Sequence, residues 1–247
     1  MTNKEEFKKL FLKVKKMGFV KSNRKGNTGI GKTFEDCFGL EENNLPTADF
    51  KGIELKSQRE LSSSYLTLFT KSPSLPRLAN TKLRLKFGTP DKEHPDIEVL
   101  HTSIFSQNFN THTSGYGFKL QVNKNEEKIY ILVKNLETQE IINTQICWTF
   151  GALKRKIEEK LNMIAYISAE TKIERGNEYF YFNKATLLSG LTFEKFIFLL
   201  EQGKVMVDIR IGVYKTGKNK GKTHDHGTSF RINKEDFEEF FDIEIIE

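Results

Sequence analysis

The spacing of hydrophobic residues along the chain predicts a mixture of helices and strands. Residues 4–16 repeat apolar positions with a helical period and are followed by Gly18, a residue type that favours helix ends. The predicted helices cover residues 4–16, 33–39, 151–161 and 192–201. The predicted strands cover residues 51–57, 65–70, 116–122, 128–134, 163–169 and 204–214, with a hairpin near 172–182 and a short closing strand after 214.

The order of these elements over residues 33–169 indicates an α/β core, because strands and helices follow one another. Residues 71–115 are rich in Ser, Thr, Asn, Pro and Gly and contain most of the turn signals. A chain of 247 residues can form one large domain or two small ones. We place a soft boundary near residue 170, after the buried strand.

The composition argues against several classes of protein. Hydrophobic residues make up 37% and aromatic residues 12% of the chain, which is enough for a packed core. No apolar run is long enough for a transmembrane helix, and the Lys-rich N-terminus lacks the apolar core of a signal peptide. We therefore expect a cytoplasmic protein. Its two cysteines cannot form a disulfide framework.

The distribution of charge is more informative than the net value of +6. Residues 8–25 hold eight Lys and Arg residues and no acid, and residues 71–87 hold five and no acid. Residues 210–231 hold six against one acid. These stretches together carry +18, which leaves −12 for the rest of the chain. Such segregation suits a groove that follows phosphates, although three solvated surfaces are an equal alternative.

A glycine-rich segment matches the P-loop pattern for phosphate binding in full. It reads Gly26-Asn-Thr-Gly-Ile-Gly-Lys32-Thr33, and Asp208 at a strand end is a possible magnesium-binding acid. A P-loop follows directly from a buried strand, whereas residues 21–25 intervene here. We interpret the segment as a basic helix start that presents backbone N–H groups, suited to a DNA phosphate. Nucleotide hydrolysis is the weaker alternative.

Two acids and a lysine mark the strand predicted at 51–57. Glu54 and Lys56 are two residues apart and share one face, while Ile53 and Leu55 point to the other. Asp49 lies where the chain enters the strand and can bring its carboxylate beside that of Glu54. Two converging carboxylates suit Mg²⁺, which lowers the pKa of a bound water, and Lys56 would orient or help activate that water.

Glu35, in the short helix upstream, is a third candidate acid. It reaches the same metal site if that helix packs across the strand. The alternative for Glu35 is an ordinary solvated glutamate that favours a helix N-terminus. The alternative for Glu54 and Lys56 is a salt-bridged edge strand.

Taken together, these residues resemble the MvaI/BcnI group of type II restriction endonucleases, relatives of the mismatch-repair nicking enzyme MutH. The resemblance covers most of the chain. Its most specific block is Gly221-Lys-Thr-His-Asp-His-Gly-Thr-Ser-Phe-Arg231, whose spacing of basic, acidic and imidazole groups recurs in the family. The other matching blocks are residues 24–36, 49–56, 66–73, 167–170 and 207–212.

The resemblance implies a PD-(D/E)xK nuclease fold, an α/β fold with a mixed central sheet flanked by helices and a second, recognition lobe. Residues 1–170 would form the catalytic lobe, with residues 71–115 as a DNA-contacting insertion. Residues 171–247 would form the recognition lobe. The family resemblance also implies a monomer that clamps double-stranded DNA and nicks each strand in turn, with a cognate DNA methyltransferase in the same prokaryotic cell.

The resemblance also assigns the catalytic positions. Asp49 and Glu54 would bind Mg²⁺, for which Mn²⁺ is a possible substitute. Ala48 stands where the family has proline, a residue that shapes the chain and does no chemistry. The implied catalytic residues are Glu35, Asp49, Glu54 and Lys56.

Sequence recognition is expected from charged residues near the C-terminus. Arg210 and Arg231 can each donate two hydrogen bonds to guanine O6 and N7, and Asp208 can accept one from cytosine N4. By similarity to the family, this cluster would read the outer C·G pairs of a CC-N-GG-type site, with CCWGG as the first expectation. The predicted recognition residues are Asp208, Arg210, His224, Asp225, His226 and Arg231.

Further basic residues are candidates for contacts with the DNA backbone. The predicted backbone contacts are Lys32, Lys71, Arg77, Lys218, Lys220 and Lys222. Residues 71–115, which also contain Arg84, His94 and His101, are a candidate clamp over the other groove. A metal site at His224-Asp225-His226 is a weaker alternative, because the loop offers no obvious further ligand.

The leading hypothesis is therefore a Mg²⁺-dependent, sequence-specific DNA endonuclease. The alternatives are a DNA-binding module that does not cleave and, with less support, a P-loop nucleotide hydrolase.

Overall fold

The computed structural model describes residues 1–40, 48–63 and 65–246. Its helices are α1 (Asn3–Lys15), α2 (Gly29–Phe38), α3 (Ala79–Phe87), α4 (Phe150–Lys160), α5 (Phe193–Glu201) and α6 (Phe237–Phe240), with a 3₁₀ turn at Lys234–Asp236. Its strands are β1 (Phe19–Lys21), β2 (Glu54–Arg59), β3 (Leu66–Thr70), β4 (Thr89–Pro90), β5 (Glu98–Ile104), β6 (Tyr116–Asn123), β7 (Lys128–Asn135), β8 (Ile141–Thr149), β9 (Met163–Glu174), β10 (Asn177–Ser189), β11 (Val205–Val213), β12 (Thr223–Ile232) and β13 (Asp242–Ile246). None of the helices described is long and apolar enough to cross a membrane.

The chain folds into two compact units, each assembled from separate segments. Unit one comprises Met1–Ser64, Ile157–Leu191 and Phe237–Glu247, and unit two comprises Tyr65–Lys156 and Thr192–Asp236. The boundary predicted near residue 170 falls inside β9. The assignment of catalysis and recognition to separate lobes stays a prediction.

Unit one contains a five-stranded mixed sheet. Its order is β1-β10-β9-β2, and β13 also pairs with β10. β2 runs parallel to β9, with Glu54 beside Ile164 and Lys56 beside Tyr166, whereas the other pairs are antiparallel. The position of β2 in this sheet fixes the direction of the side chains that the sequence motif places on it.

Helices α1 and α2 contribute to the hydrophobic core on one face of this sheet. Phe7 and Phe11 of α1 join Phe34 of α2 in one buried cluster with Leu55 of β2 and Ala165 of β9. Leu55 and Ala165 are register partners, so their side chains lie on the same face of the sheet. The alternate positions of β2 are thereby left for polar residues.

Unit two contains two antiparallel sheets, with orders β3-β12-β11-β5-β4 and β6-β7-β8. Phe230 of β12 lies in an aromatic core, stacked on Phe69 at 4.8 Å between ring centres and edge-on to Trp148 at 5.4 Å. The Trp148 indole donates a hydrogen bond to the Lys71 carbonyl at 2.8 Å. This core supports the strands that carry the predicted recognition residues.

The structure confirms a mixed α/β fold and corrects several predicted elements. α2 begins at Gly29 and not at Thr33, because burial of Ile30 outweighs the low helix propensity of its glycines. Residues 71–115, for which the turn signals predicted no helix or strand, contain both α3 and β5. β8 was absent from the prediction because its polar Asn-Thr-Gln centre interrupts the apolar pattern.

Candidate active site and nucleic-acid interface

A two-residue hairpin places the two predicted metal-binding acids opposite each other. Phe50 and Ile53 exchange backbone hydrogen bonds of 2.9 and 2.7 Å, with Lys51 and Gly52 as the turn. Both turn residues have positive φ, 46° and 87°, as the tightest hairpin turns require. The next pair along this ladder is Asp49 and Glu54, and positions that are opposed in this way have neighbouring side chains.

Further contacts fix this pair. Oδ2 of Asp49 accepts a hydrogen bond from the Leu55 amide at 2.9 Å. Glu54 is only 2% exposed, and Nζ of Lys56 lies 2.5 Å from its Oε1. Leu55, between Glu54 and Lys56 in the sequence, lies in the hydrophobic core. The structure thus pairs Lys56 with Glu54 and holds Asp49 against the adjacent Leu55 amide, while the catalytic roles of the three residues stay a prediction.

Glu54 has a second basic neighbour that the sequence motif did not reveal. Nζ of Lys160, the last residue of α4, lies 3.3 Å from Oε1 and 3.4 Å from Oε2 of Glu54. The signal available in the sequence was a lysine at the end of a predicted helix, directly before a buried strand. Assigning Lys160 to the site from this signal requires knowing that the strand after it, β9, runs beside β2.

The same face of the sheet continues into a tyrosine–glutamine pair. The Tyr166 hydroxyl donates a hydrogen bond to Oε1 of Gln58 at 2.9 Å, and its ring packs edge-on against Phe237 at 5.3 Å. Burial raises the pKa of Tyr166 to about 12, because the phenolate would lose its hydration. Tyr166 therefore stays protonated at neutral pH and remains a hydrogen-bond donor.

Glu35 is half-buried on α2, whose buried residues Ile30, Phe34 and Phe38 lie in the core of unit one. Its approach to Asp49 and Glu54 stays a prediction. Among the described residues there is no group of three or more His, Cys, Asp or Glu side chains arranged to hold a metal. The donors present, two neighbouring carboxylates, nevertheless fit a hard divalent ion such as Mg²⁺.

The P-loop-like segment uses its key side chains within the protein. Lys32 donates to Oδ1 of Asp36 at 2.7 Å, and the buried Thr33 hydroxyl accepts from the Asn23 amide at 3.0 Å. The hydrogen bond from Lys32, with a second from Asn23, holds the pKa of Asp36 below its usual value. The strand before the loop, β1, is a three-residue strand paired antiparallel with β10. This geometry argues against nucleotide binding.

In unit two, a buried carboxylate organises the two predicted guanine-reading arginines. Asp208 is 2% exposed and accepts hydrogen bonds from Ser103 at 2.9 Å and from Nε of Arg210 and Nη1 of Arg231, both at 3.0 Å. Arg231 also donates to the Tyr65 carbonyl at 2.9 Å. Its Nε is buried without a hydrogen-bond partner among the described residues.

The two predicted histidines of β12 form part of an aromatic stack. The rings of Tyr214 and His224 are parallel within 11° at 3.9 Å, and His226 lies 3.6 Å from His224. Partial desolvation, with nearby His224, lowers the pKa of His226 below its ordinary value.

Asp225 is occupied within the protein. Its carboxylate accepts from Nδ2 of Asn80 at 2.9 Å and from the Gly227 amide at 2.8 Å. These contacts hold the irregular part of β12, where the pairing with β11 shifts register. The metal alternative at His224-Asp225-His226 gains no support from this arrangement.

The predicted backbone-contacting residues fall in several places. Lys218, Lys220 and Lys222 are exposed in the loop between β11 and β12, Arg77 is exposed, and Lys71 is half-buried. In the 71–115 segment, His101 on β5 is the register partner of Arg210. Burial and then the charge of Arg210 lower the pKa of His101.

Comparisons with known proteins give a consistent assignment. The family model for the MvaI/BcnI restriction endonuclease family matches residues 8–241. A structure of restriction endonuclease MvaI with cognate DNA shares 40% sequence identity, covers 98% of both chains and superposes with a TM-score of 0.92. MvaI without DNA shares 39% identity over 97% of this chain and 96% of that chain, with a TM-score of 0.62. No curated protein matches the sequence.

The predicted restriction-endonuclease fold is therefore confirmed. The chain belongs to the MvaI/BcnI restriction endonuclease family and is a type II restriction endonuclease, a site-specific DNA-cleaving enzyme.

Proposed function

We propose that the enzyme uses Mg²⁺ to hydrolyse phosphodiester bonds in double-stranded DNA at a CC-N-GG-type site, with CCWGG as the first candidate. It acts as a monomer and nicks each strand in turn. The observation that carries this proposal is the hairpin that sets Asp49 opposite Glu54 beside Lys56. The MvaI structure at 40% identity contains cognate DNA, which supports duplex DNA as the substrate here.

Asp49 and Glu54 would hold the metal ion, with Glu35 as a third acid. When bound, the ion supplies positive charge to the scissile phosphate and lowers the pKa of a water molecule. Lys56, held at Glu54, orients that water. The water gives up a proton to solvent as its oxygen bonds to phosphorus, a P–O ester bond breaks, and the leaving oxygen takes up a proton from solvent. Because Leu55 is anchored in the core, Glu54 and Lys56 on either side of it are held in place before the substrate binds. Less entropy is then lost on reaching the transition state.

Arg210 and Arg231 would read guanine bases. Asp208 holds both guanidinium groups in fixed orientations through the hydrogen bonds that it accepts from Arg210 and Arg231. Asp208 would take this positioning role ahead of a direct contact with cytosine, which is supported by the side-chain hydrogen bonds that its oxygens already accept from Ser103, Arg210 and Arg231. His224 and His226 would donate to purines, with Asp225 shaping the strand between them.

The basic loop of Lys218, Lys220 and Lys222 would contact DNA phosphates, together with Lys32, Lys71 and Arg77. Contacts with phosphates do not depend on the DNA sequence, so these residues would support affinity more than specificity. We further propose that the enzyme works in the cytoplasm of a prokaryotic cell, where a cognate methyltransferase protects the host site.

Plasmid cleavage tests the catalytic assignment. Wild-type enzyme with Mg²⁺ should give an open-circular intermediate and then discrete fragments, and the Glu54→Gln and Lys56→Met variants should bind DNA but cut at least about 10³-fold more slowly. Glu60→Gln, an exposed acid just beyond β2, is the matched control and should cut normally. Undiminished cleavage by both active-site variants would refute the assignment.

Sequencing the ends of cleaved random DNA tests the proposed site. We expect cuts at CCWGG and none at the same sites with a central C·G pair. Specific, salt-sensitive binding without product in either Mg²⁺ or Mn²⁺ would favour the non-cleaving alternative.

A further inference from the structure

Two lysines contact the one buried carboxylate of the active site. Nζ of Lys56 lies 2.5 Å from Oε1 of Glu54, a short charge-assisted hydrogen bond. Lys160 contacts both oxygens from 3.3 and 3.4 Å. Lys56 belongs to the sequence motif, whereas Lys160 comes from a different segment of unit one.

The longer contacts of Lys160 make it the replaceable partner. At 3.3 and 3.4 Å they lie beyond the usual range of strong N–H···O hydrogen bonds. The Lys160 side chain is 21% exposed, so it can move toward solvent while Glu54, at 3%, stays buried. Lys56 is 27% exposed, so the longer contacts and not the exposure distinguish Lys160 from it. A buried carboxylate needs cationic partners, and Lys160 supplies one in the absence of metal.

A divalent ion between Asp49 and Glu54 requires a Glu54 oxygen and repels a nearby ammonium. We propose that Lys160 is a positioning residue that acts as a resident cation on Glu54 in the metal-free enzyme and moves away when the metal binds. Lys160 thereby sets the metal concentration at which the active site fills. The inference rests on the proposed function, because it requires Glu54 to be a metal ligand.

Titration of the DNA-free enzyme with Mn²⁺, followed by the electron paramagnetic resonance signal of the free ion, tests the exchange without any cleavage. Lys160→Met should bind Mn²⁺ about tenfold more tightly than wild type, because no ammonium has to be displaced. Lys160→Arg, which keeps the charge, should bind no more tightly than wild type. Lys154→Met, an exposed lysine on the same helix, is the matched control and should show no change. Equal or weaker Mn²⁺ binding by Lys160→Met overturns the inference.

Thermal unfolding separates exchange from a general folding effect. In EDTA, Lys160→Met should melt below wild type, since Glu54 has lost a partner, and Mn²⁺ should raise its melting temperature by more than that of wild type. Lys160→Gln should repeat both results. A smaller gain with Mn²⁺ in both variants contradicts the exchange.

The Glu54→Gln variant distinguishes the two proposals. If wild type binds Mn²⁺ no better than Glu54→Gln, the proposed metal site is wrong and the exchange falls with it. If Mn²⁺ binding depends on Glu54 but not on the charge at residue 160, only the exchange is wrong.

Discussion

At the scale of single residues, one buried carboxylate organises each candidate site. Glu54 and Asp208 are both 2% exposed, and each contacts two cationic side chains. Removing a buried charge of this kind leaves its partners uncompensated, which is more damaging than the loss of a surface pair. Substitutions that remove the charge of Glu54 or Asp208 should therefore also change the orientation of the lysine or arginine side chains that contact it.

Asp208→Asn tests this at the recognition cluster. The amide keeps the shape but loses the charge that holds both arginines, so we expect binding to the cognate site to weaken by about 10–100-fold. Binding to unrelated duplex should change little, since phosphate contacts are kept. Competition binding with cognate and scrambled duplexes measures the ratio, and Asp236→Asn is the matched control. A parallel loss on both duplexes would contradict the positioning role.

Tyr166 gives a prediction for alkaline pH. Its pKa rises from an ordinary value of 10.0 to about 12 in the folded protein. The stability that this burial contributes is complete below pH 10 and is lost as the pH rises through 12, because the unfolded chain ionises first. Over that window we expect a loss of about 2–3 kcal/mol in the free energy of unfolding. Denaturant unfolding at several pH values measures it.

Tyr166→Phe is the control, since it removes the ionising group and keeps the ring. Its free energy of unfolding should fall less steeply between pH 10 and 12 than that of wild type. Identical slopes would mean that Tyr166 does not carry the effect.

The residues that sequence reasoning found and missed differ in one respect. Asp49, Glu54 and Lys56 lie within eight positions, so local pattern sufficed: strand periodicity pairs Glu54 with Lys56, and Asp49 lies where the chain enters the strand. Lys160 and Ser103 contact their acids from 106 and 105 positions away, and no local pattern reports such pairs. Phe198 is 58% exposed although it is aromatic, because its helix buries the neighbouring positions Ile197 and Leu199.

At the scale of elements, the tight turn before β2 sets the geometry of the candidate active site. Lys51 and Gly52 both have positive φ, and Gly52 at 87° is in a conformation that only glycine adopts readily. A Cβ at Gly52 would meet no other atom within 4 Å, so the restriction comes from the backbone and not from crowding.

Gly52→Val should therefore reduce cleavage strongly and lower the free energy of unfolding by about 1–2 kcal/mol. Gly52→Asn should restore much of both, because asparagine tolerates the left-handed region. The control is Gly31→Ala in α2, where there is open space and an ordinary φ; it should be neutral or slightly stabilising. Single-turnover cleavage and urea unfolding measure the two effects. Equal activity of the Val and Asn variants would contradict the proposed role of the turn.

Secondary structure was predictable where apolar spacing and burial agree. α1 satisfies both, with Phe7, Phe11 and Val14 buried as its pattern indicates. α3 was missed although Ala79, Leu83 and Phe87 are spaced by four, because the surrounding turn residues dominate the local signal. The long pairing of β9 with β10 exceeds the predicted hairpin, since the sequence does not show where tertiary pairing ends.

At the scale of the whole molecule, the segregated charge predicts the response to salt. The three basic stretches carry +18 against a net charge of +6. Binding that neutralises phosphates releases counterions, so affinity should fall linearly on a log–log plot against salt. The slope counts the contacts made.

Replacing Lys218, Lys220 and Lys222 together with alanine should lower that slope by about 3, with similar changes on cognate and unrelated duplexes. Fluorescence anisotropy at several salt concentrations between about 50 and 200 mM measures the slope. The control replaces Lys119, Lys124 and Lys134, which lie outside the basic stretches. An unchanged slope in the loop variant would exclude phosphate contacts by this loop.

The fold class and the family were accessible from sequence because several motifs agreed over most of the chain. The division into units was not, because each unit combines segments that are distant in sequence, and pairing of β2 with β9 spans residues 54–169. Composition and turn signals report local changes and do not show which distant strands pair.

This interleaving bears on synthesis at the ribosome and on engineering. Unit one is completed only by residues 237–247 and unit two only by residues 192–236. A chain that ends before residue 237 lacks the last segment of unit one, and one that ends before residue 192 also lacks a segment of unit two. We therefore expect no N-terminal fragment in which β2 is active while the β3-β12-β11-β5-β4 sheet is incomplete. With cleavage assigned to β2 as proposed, a cell that makes the enzyme avoids an unspecific nuclease intermediate, and a cleavage module cannot be taken from this chain as one continuous segment.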